Sequence, residues 1–325
     1  MKQLISRRLM LAMAAASAVC GVSPVLAQAP FPSQTIKIVV PYPAGGATDI
    51  LARMTAQKLQ EAWGATVVVE NKTGAGGTIG NNMVAKAPAD GYTVLMAITA
   101  IIQQPTLMNL PYDPLKDFAP VTQVAKSPSM LAVPLTSPAR SLKEFISLVK
   151  ANPGKYDYGT YGAGTSSHIQ GSLLNLQAGL DLVHVPFQGA APLVTNLVGG
   201  QLTSAFVDSA SGRAHIKSFR PLAVTGVQRM PILPDVPTFK ELGYKDFDPI
   251  GWFGLFLPAA TPPAIVKKYT DEVNRILTLP DVVTRIEGLG LWVGGGKSEE
   301  FAQTIKSDAA VYAKIIKEAG IKISQ

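Results

Sequence analysis

The sequence contains a single cysteine, Cys20, which lies in an apolar stretch near the start of the chain. Once this stretch is removed, no thiol is left, so disulfides and cysteine-ligated metal sites are excluded from the rest of the chain. None of the three histidines lies three or four residues from another. We therefore expect no metal site and no cofactor.

Charge is also sparse. Charged residues make up 16% of the chain, compared with about 25% in an average soluble protein. Beyond residues 1–27 there are 26 basic and 22 acidic residues, and no run of five basic residues occurs. Nucleic-acid binding needs a basic stripe, so no nucleic-acid partner is expected. The mild positive charge suits a small anionic ligand.

No segment beyond the first 27 residues has 18 unbroken apolar residues, so no membrane span is expected there. Within those 27 residues, Lys2, Arg7 and Arg8 precede an apolar stretch and then small residues. This pattern predicts a secretory signal peptide, cleaved near Ala27 or Ala29, and hence a periplasmic protein. The arginine pair leaves ordinary and twin-arginine export both open.

Strand-like and helix-like segments alternate along the rest of the chain, which predicts an α/β fold with mostly parallel strands. The predicted strands are residues 35–40, 66–70, 92–98, 130–134, 156–161, 183–187, 204–207 and 220–225. The main predicted helices span residues 48–63, 141–151 and 166–180, and two more begin near residues 261 and 298. A length of 325 residues fits two domains or one large domain.

A unit of strand, glycine-rich loop and helix occurs twice, at residues 35–63 and 156–180. The first N–H groups of a helix have no intrahelical acceptor, and such a loop brings them close to an anion. Two such loops facing each other would hold a carboxylate from both sides. The first loop supplies the candidate ligand contacts Tyr42, Ala44, Gly45, Gly46, Ala47, Thr48 and Asp49. We interpret Asp49 as a helix cap or a loop-orienting residue.

The second loop supplies the candidate contacts Gly162, Ala163, Gly164, Thr165, Ser166, Ser167 and His168. Ser167 replaces the third glycine of a dinucleotide-binding motif, which argues against that function. His168 is too large for the last position of a G-x-S-x-G nucleophile elbow. A secreted α/β hydrolase acting through Ser166 and His168 remains the alternative. Asp208, at the end of a predicted strand, either contacts the ligand or caps the next helix.

Several motifs occur in an order that resembles the Bug family, the extracytoplasmic solute-binding proteins of tripartite tricarboxylate transporters. The resemblance extends over nearly the whole chain after the signal peptide. The motifs are residues 41–49 (PYPAGGATD), 70–77 (ENKTGAGG), 90–95 (DGYTVL), 158–165 (YGTYGAGT), 184–189 (HVPFQG) and 234–239 (PDVPTF).

The resemblance implies a two-lobed type II periplasmic binding protein fold, with a mostly parallel sheet flanked by helices in each lobe and a ligand cleft between them. One lobe would combine residues 28–128 with 251–325, and the other would span 129–250. The resemblance also implies that residues 44–48 and 162–167 grip a carboxylate, partly through water. It adds Thr99, Gln188 and Asp208 as pocket-lining residues.

The expected function is therefore capture of a dicarboxylate or an aromatic carboxylate and its delivery to membrane permease subunits. We expect a monomer without catalytic residues. Besides the hydrolase, a sensory co-receptor that presents its liganded state to a signalling protein is a further alternative.

Overall fold

The structure is a computed structural model, and it describes residues 31–187 and 189–321. The predicted signal peptide and Gln188 lie outside the described residues. The helices and strands given below belong to one compact unit that begins at Gln34. Within the described ranges, no helix combines the length and the apolar character that a membrane crossing needs.

The strands follow the β-branched and apolar runs of the sequence. They are β1 (Ile36–Val40), β2 (Val67–Asn71), β3 (Thr93–Ile98), β4 (Phe118–Ser127), β5 (Ser129–Pro134), β6 (Asp157–Thr160), β7 (Val183–Pro186), β8 (Ala205–Asp208), β9 (Phe219–Val224), β10 (Gly251–Pro258) and β11 (Trp292–Val293). Each predicted strand overlaps an observed one, whereas β4, β10 and β11 are not predicted.

The helices connect these strands. They are α1 (Ala47–Trp63), α2 (Thr78–Ala85), α3 (Ala100–Gln103), α4 (Leu142–Ala151), α5 (Ser166–Ala178), α6 (Ala190–Val198), α7 (Ser209–Gly212), α8 (Pro263–Leu277), α9 (Pro280–Gly288) and α10 (Ser298–Glu318). Local chemistry sets several ends. Gly64 ends α1 in the left-handed conformation, at φ 64°, which glycine adopts without steric cost. The Ser141 side chain caps α4 by accepting the N–H of Glu144.

The strands form two sheets. The first has the order β11-β4-β10-β3-β1-β2, and the second has the order β7-β6-β8-β5-β9. Helices flank both sheets, as the predicted two-lobed α/β fold requires. The expectation of mostly parallel strands is wrong: among the described residues, four strand pairings are parallel and five are antiparallel.

The antiparallel pairings have one physical origin. Each involves β4, β5 or β10, the strands at which the chain passes from one sheet to the other. Strand β4 ends at Ser127 in the first sheet, and β5 begins at Ser129 in the second. The chain returns to the first sheet at Gly251, where β10 begins. These crossings bring Ser127, Ser129 and Gly251 to the space between the sheets.

Candidate ligand-binding site

A cavity of about 230 Å³ lies between the two sheets. Its walls are formed by the start of α1, the end of β3, the two crossings and the starts of α5 and α7. The lining residues are Ala47, Thr48, Ile98, Thr99, Ala100, Ser127, Ser129, Tyr161, Ser166, Asp208, Ala210, Ser211, Gly251, Trp252 and Phe253. The polar groups are mostly hydroxyls. Among these described residues none is cationic, and Asp208 is the one acid.

The N-terminus of α1 forms one wall of the cavity. The first intrahelical hydrogen bond runs from the N–H of Ile50 to the carbonyl oxygen of Gly46, at 3.0 Å. The N–H groups of Ala47 and Thr48 precede this bond and have no intrahelical acceptor. Both residues line the cavity, and Thr48 is 6% exposed. This wall therefore offers N–H groups and the positive end of a helix dipole to an anion.

Asp49 is not part of the cavity wall. It accepts hydrogen bonds from the backbone N–H of Gly45 (2.9 Å), from Arg53 Nε (3.0 Å) and from Asn71 Nδ2 (3.0 Å). Burial opposes ionisation of this carboxyl, but the hydrogen bonds from Arg53, Gly45 and Asn71 outweigh it and lower the pKa of Asp49. The charged side chain thus holds the first loop against α1 and β2. Of the two roles predicted for Asp49, this is loop orientation, since Gly46 and not Asp49 is the N-cap of α1.

The second loop is largely bonded to itself. Thr165 Oγ1 donates to the carbonyl oxygen of Gly162 (2.8 Å), and Ser167 Oγ accepts the N–H of Tyr161 (3.1 Å). The N–H of Ile169 donates to the Thr165 carbonyl (3.0 Å), which makes it the first intrahelical bond of α5. The N–H of Ser166 precedes this bond and has no intrahelical acceptor. Ser166 is the residue of this loop that lines the cavity.

Ser166 also makes a contact between the parts of the chain that carry the two sheets. Gln103 Nε2, at the end of α3, donates to Ser166 Oγ at 2.8 Å. Gln103 is fully buried, and its Oε1 atom has no hydrogen-bond partner. This bond fixes the position of the start of α5 relative to α3.

The two histidines behind the second loop are stacked. The rings of His168 and His184 lie 3.8 Å apart and are nearly parallel. Burial lowers the pKa of His168. Burial and then the neighbouring His168 lower the pKa of His184 to about 4, so both rings are neutral near pH 7.

His168 does not activate Ser166. Its Nδ1 accepts the N–H of Gly164 at 3.0 Å, whereas Ser166 Oγ is bonded to Gln103. This arrangement lacks the hydrogen bond between nucleophile and base that a serine hydrolase uses.

Asp208 lines the cavity and caps the next helix. Its two carboxylate oxygens accept the N–H and the hydroxyl of Ser211, each at 2.8 Å. Its own N–H donates to the Tyr161 hydroxyl. Burial, followed by the charge of Asp208, raises the pKa of Tyr161 well above its ordinary value. Tyr161 therefore stays protonated beside the carboxylate.

Thr99 joins β3 to β10 at the floor of the cavity. The N–H of Trp252 donates to Thr99 Oγ1 at 2.7 Å, and the N–H of Thr99 donates to the Trp252 carbonyl at 3.2 Å. Thr99 is 2% exposed. Its hydroxyl thus fixes the end of β3 while the residue lines the cavity.

The structure brings Ala47, Thr48, Thr99, Ser166 and Asp208 together around one cavity. The other described candidates lie outside its lining: Tyr42, Ala44, Gly45, Gly46, Asp49, Gly162, Ala163, Gly164, Thr165, Ser167 and His168. Gln188 is outside the described residues.

Sequence reasoning did not select Ser127, Ser129, Tyr161, Ser211 or Trp252. The Ser-Pro-Ser segment at residues 127–129, between two apolar stretches, is the local signal of a crossing between sheets. In the described parts of the chain, no group of three or more acidic, histidine or cysteine side chains is placed to hold a metal.

Residues 51–321 match the family model described as the tripartite tricarboxylate transporter family receptor. A protein encoded between tcbD and tcbE in Pseudomonas sp. strain P51 is 38% identical over 299 residues, covering 91% of this chain and 89% of that protein. Protein BugT of Bordetella pertussis is 30% identical over 311 residues, covering 94% of this chain and 95% of BugT.

Three solved structures are similar over their whole length. A protein of R. palustris solved with adipate has a TM-score of 0.81 and 31% identity, covering 90% of this chain and 99% of its own. The periplasmic binding protein BugD has a TM-score of 0.78 and 34% identity, and the match covers 90% of this chain and 99% of BugD. MatC from Rhodopseudomonas palustris, solved with bound malate, has a TM-score of 0.77 and 31% identity, and the match covers 88% of this chain and 100% of MatC.

The matched family is one of transporter receptors, and BugD is a periplasmic binding protein, not an enzyme. This agrees with the separate hydrogen bonds of Ser166 and His168. The two-lobed fold is also the fold of the solved relatives. The chain belongs to the tripartite tricarboxylate transporter receptor family, the Bug family of periplasmic solute-binding proteins.

Proposed function

We propose that the protein captures a small organic acid, a dicarboxylate or an aromatic carboxylate, in the cavity between the two sheets. The observation that carries this proposal is the composition of the wall. The starts of α1 and α5 contribute N–H groups without intrahelical acceptors, and hydroxyl groups surround them. Neutral donors at a helix N-terminus bind a carboxylate without a cation. The adipate and malate bound by two relatives support this ligand class.

The ligand carboxylate would receive hydrogen bonds from the N–H groups of Ala47 and Thr48 on one side and from Ser166 on the other. A cavity of about 230 Å³ accommodates a small acid together with ordered water, whose share of liquid volume is about 30 Å³. Water would then link the carboxylate to loop residues outside the cavity lining, namely Ala44, Gly45, Gly46 and Gly162 to Thr165. Gln188 is proposed as a further pocket residue.

Capture would involve closure of two lobes, with residues 28–128 and 251–325 in one and 129–250 in the other. The hinge would lie where the chain crosses between the sheets, at Pro128 and before Gly251. The closed, liganded monomer would then dock on the permease subunits of a tripartite transporter. The exported protein would have lost its signal peptide near Ala27 or Ala29.

The first test is thermal stabilisation of the purified protein by mono-, di- and tricarboxylates, aromatic acids, amino acids and sugars. A ligand at a hundred times its Kd adds about 2.7 kcal/mol to the free energy of unfolding. Stabilisation confined to carboxylates is expected. Stabilisation by sugars alone would contradict the carboxylate assignment.

A substitution in the wall makes the test specific. Thr48→Val removes the hydroxyl and keeps the side-chain shape, so we expect carboxylate affinity to fall about 3- to 10-fold through loss of one hydrogen bond. Thr195→Val is the matched control, because the Thr195 hydroxyl bonds within α6 to the Ala191 carbonyl. Equal affinities for both variants, measured by calorimetry, would show that the Thr48 hydroxyl does not bind the carboxylate.

A further inference from the structure

A second cavity, of about 480 Å³, adjoins the first. The two share the lining residues Ala47, Ala210 and Ser211, so they meet at small side chains. Beyond this boundary the second cavity is lined by residues of the first loop and α1 on one side. Arg213 and the end of α9 lie on the other side. A ligand held at the N-terminus of α1 can therefore extend past Ala47 into the second cavity.

The charges of the two cavities differ. The first has Asp208 and no cation, so a second carboxylate held there would lie near two like charges, that of Asp208 and that of the first carboxylate. Burying such a group without a cationic partner is costly. Among the described residues that line either cavity, Arg213 is the one cation.

The guanidinium of Arg213 is fixed at the rim between the two parts of the molecule. Arg213 directly follows α7 of the second sheet. Its Nη1 donates to the carbonyl oxygen of Glu287, near the end of α9, which belongs with the first sheet. Arg213 forms no ion pair with any described carboxylate. A guanidinium has five N–H donors in a planar fork, so donors remain for a bidentate carboxylate contact.

We propose that Arg213 binds the second carboxylate of the ligand, in the cavity next to the one that holds the first, and so makes the protein selective for dicarboxylates over monocarboxylates. This inference rests on the proposed function, because it needs the first carboxylate to be held at the start of α1. It narrows the ligand class by excluding aromatic monocarboxylates as preferred ligands.

The test is a thermodynamic cycle with two changes: one removes the charge of Arg213 from the protein, and the other removes one carboxylate charge from the ligand. Binding of succinate, malate and adipate, and of the monomethyl ester of each, is measured by calorimetry with the wild type and with Arg213→Gln. For the dicarboxylate that binds the wild type most tightly, we expect its ester to bind about 10- to 100-fold more weakly, the range of a charge-assisted hydrogen bond. We expect Arg213→Gln to bind acid and ester within about twofold of each other.

Two further variants control for charge and for folding. Arg285→Gln removes an exposed cation from α9 outside both cavities, and its affinities should match those of the wild type. Arg213→Lys keeps the charge but loses the planar fork, so its preference for the acid should be intermediate. Thermal unfolding of each variant verifies that it is folded.

The outcomes separate the inference from the proposed function. If the wild type binds no carboxylate, both fail. Suppose that the wild type binds a dicarboxylate. The inference alone is then overturned if Arg213→Gln lowers the affinities for the acid and for its ester by the same factor, or if it lowers neither affinity. It is also overturned if the wild type itself does not distinguish the acid from its ester.

Discussion

The buried carboxylate of Asp49 holds the first loop in place without lining the cavity. It gathers hydrogen bonds from the loop, from its own helix and from β2, and it is 3% exposed. Because its pKa is lowered in the folded state, it contributes stability at pH values above its ordinary pKa. That contribution is lost as the pH falls through the lower folded value.

We expect Asp49→Ala to lower the free energy of unfolding by about 1–3 kcal/mol at pH 7, since three donors lose their acceptor. Carboxylate affinity should fall with it, because the N–H groups of the loop are no longer oriented. Urea unfolding and calorimetry measure the two effects. Asp271→Ala is the control: its ion pair with Lys267 is on the surface, and such pairs contribute about 0–1 kcal/mol. Equal losses for both variants would contradict this role of Asp49.

Asp308 and His184 respond to acid in opposite ways. Burial raises the pKa of Asp308 to about 6, although Trp252 Nε1 donates to it at 3.2 Å. Its protonation therefore stabilises the folded protein as the pH falls from about 6 towards its ordinary pKa. The pKa of His184 is lowered to about 4, so protonation of His184 destabilises the folded protein as the pH falls from its ordinary value towards 4. The two contributions offset each other over the same pH range.

Asp308→Asn should separate the two contributions. At pH 7 we expect the variant to be about 1–2 kcal/mol more stable than the wild type, because it removes a half-buried charge and keeps an acceptor for Trp252. Between pH 6.5 and 4 its stability should decline more steeply than that of the wild type, since the His184 contribution is no longer offset. Urea unfolding at several pH values gives both slopes. Parallel profiles would show that Asp308 does not titrate in this range.

The hydrogen bond between Gln103 and Ser166 links α3 to α5 beside the cavity. Its loss leaves Nε2 of a fully buried glutamine without an acceptor, which costs about 1–3 kcal/mol.

We expect Ser166→Ala to lower the stability of the ligand-free protein by about 1–3 kcal/mol and carboxylate affinity about 3- to 10-fold. Ser147→Ala, which removes an exposed hydroxyl bonded within α4, should change neither quantity. Thermal unfolding and calorimetry measure both. An unchanged stability in Ser166→Ala would mean that this bond does not hold the two elements together.

The elements that sequence analysis could predict are those whose local pattern agrees with their environment. Strand β1 is a β-branched run before a glycine loop, and it is buried as expected. Strand β10 contains Gly254, which in isolation indicates a turn. In the fold, a Cβ at Gly254 would collide with the ring of Phe301 from α10. The glycine is explained by a residue 47 positions away, and no local pattern contains that information.

In the candidate site, too, only the residues that have a local sequence pattern could be predicted. The loop before α1 and the start of α5 have local signatures, so Thr48 and Ser166 could be selected. Trp252 reaches the cavity through its pairing with Thr99, 153 positions away along the chain, and only the topology of the sheet brings them together. The sequence alone does not choose between the two roles of Asp208, because a strand end that caps a short helix can also line a cavity.

The strand order of the two sheets affects how cooperatively they are stabilised. Strand β10 lies between β3 and β4 in the first sheet, whereas all five strands of the second sheet lie within residues 129–224. A chain that ends at residue 250 can pair every strand of the second sheet but lacks an inner strand of the first.

We expect such a truncated chain to keep hydrogen-exchange protection in β5 and β8 and to lose it in β3 and β4, each of which has lost its pairing with β10. Mass spectrometry of exchanged peptides measures both regions, and the full chain is the reference. Equal protection of both sheets in the truncated chain would contradict this division.

During synthesis the chain emerges from its N-terminus, so the strand order also becomes an order in time. The second sheet has all its strands once residue 224 has emerged. Strands β3 and β4 cannot pair with β10 until residues 251–258 have also emerged. The cavity needs Gly251, Trp252 and Phe253 in its wall. The wall of the cavity is therefore complete only after more than three quarters of the chain has emerged, and a shorter nascent chain lacks part of it.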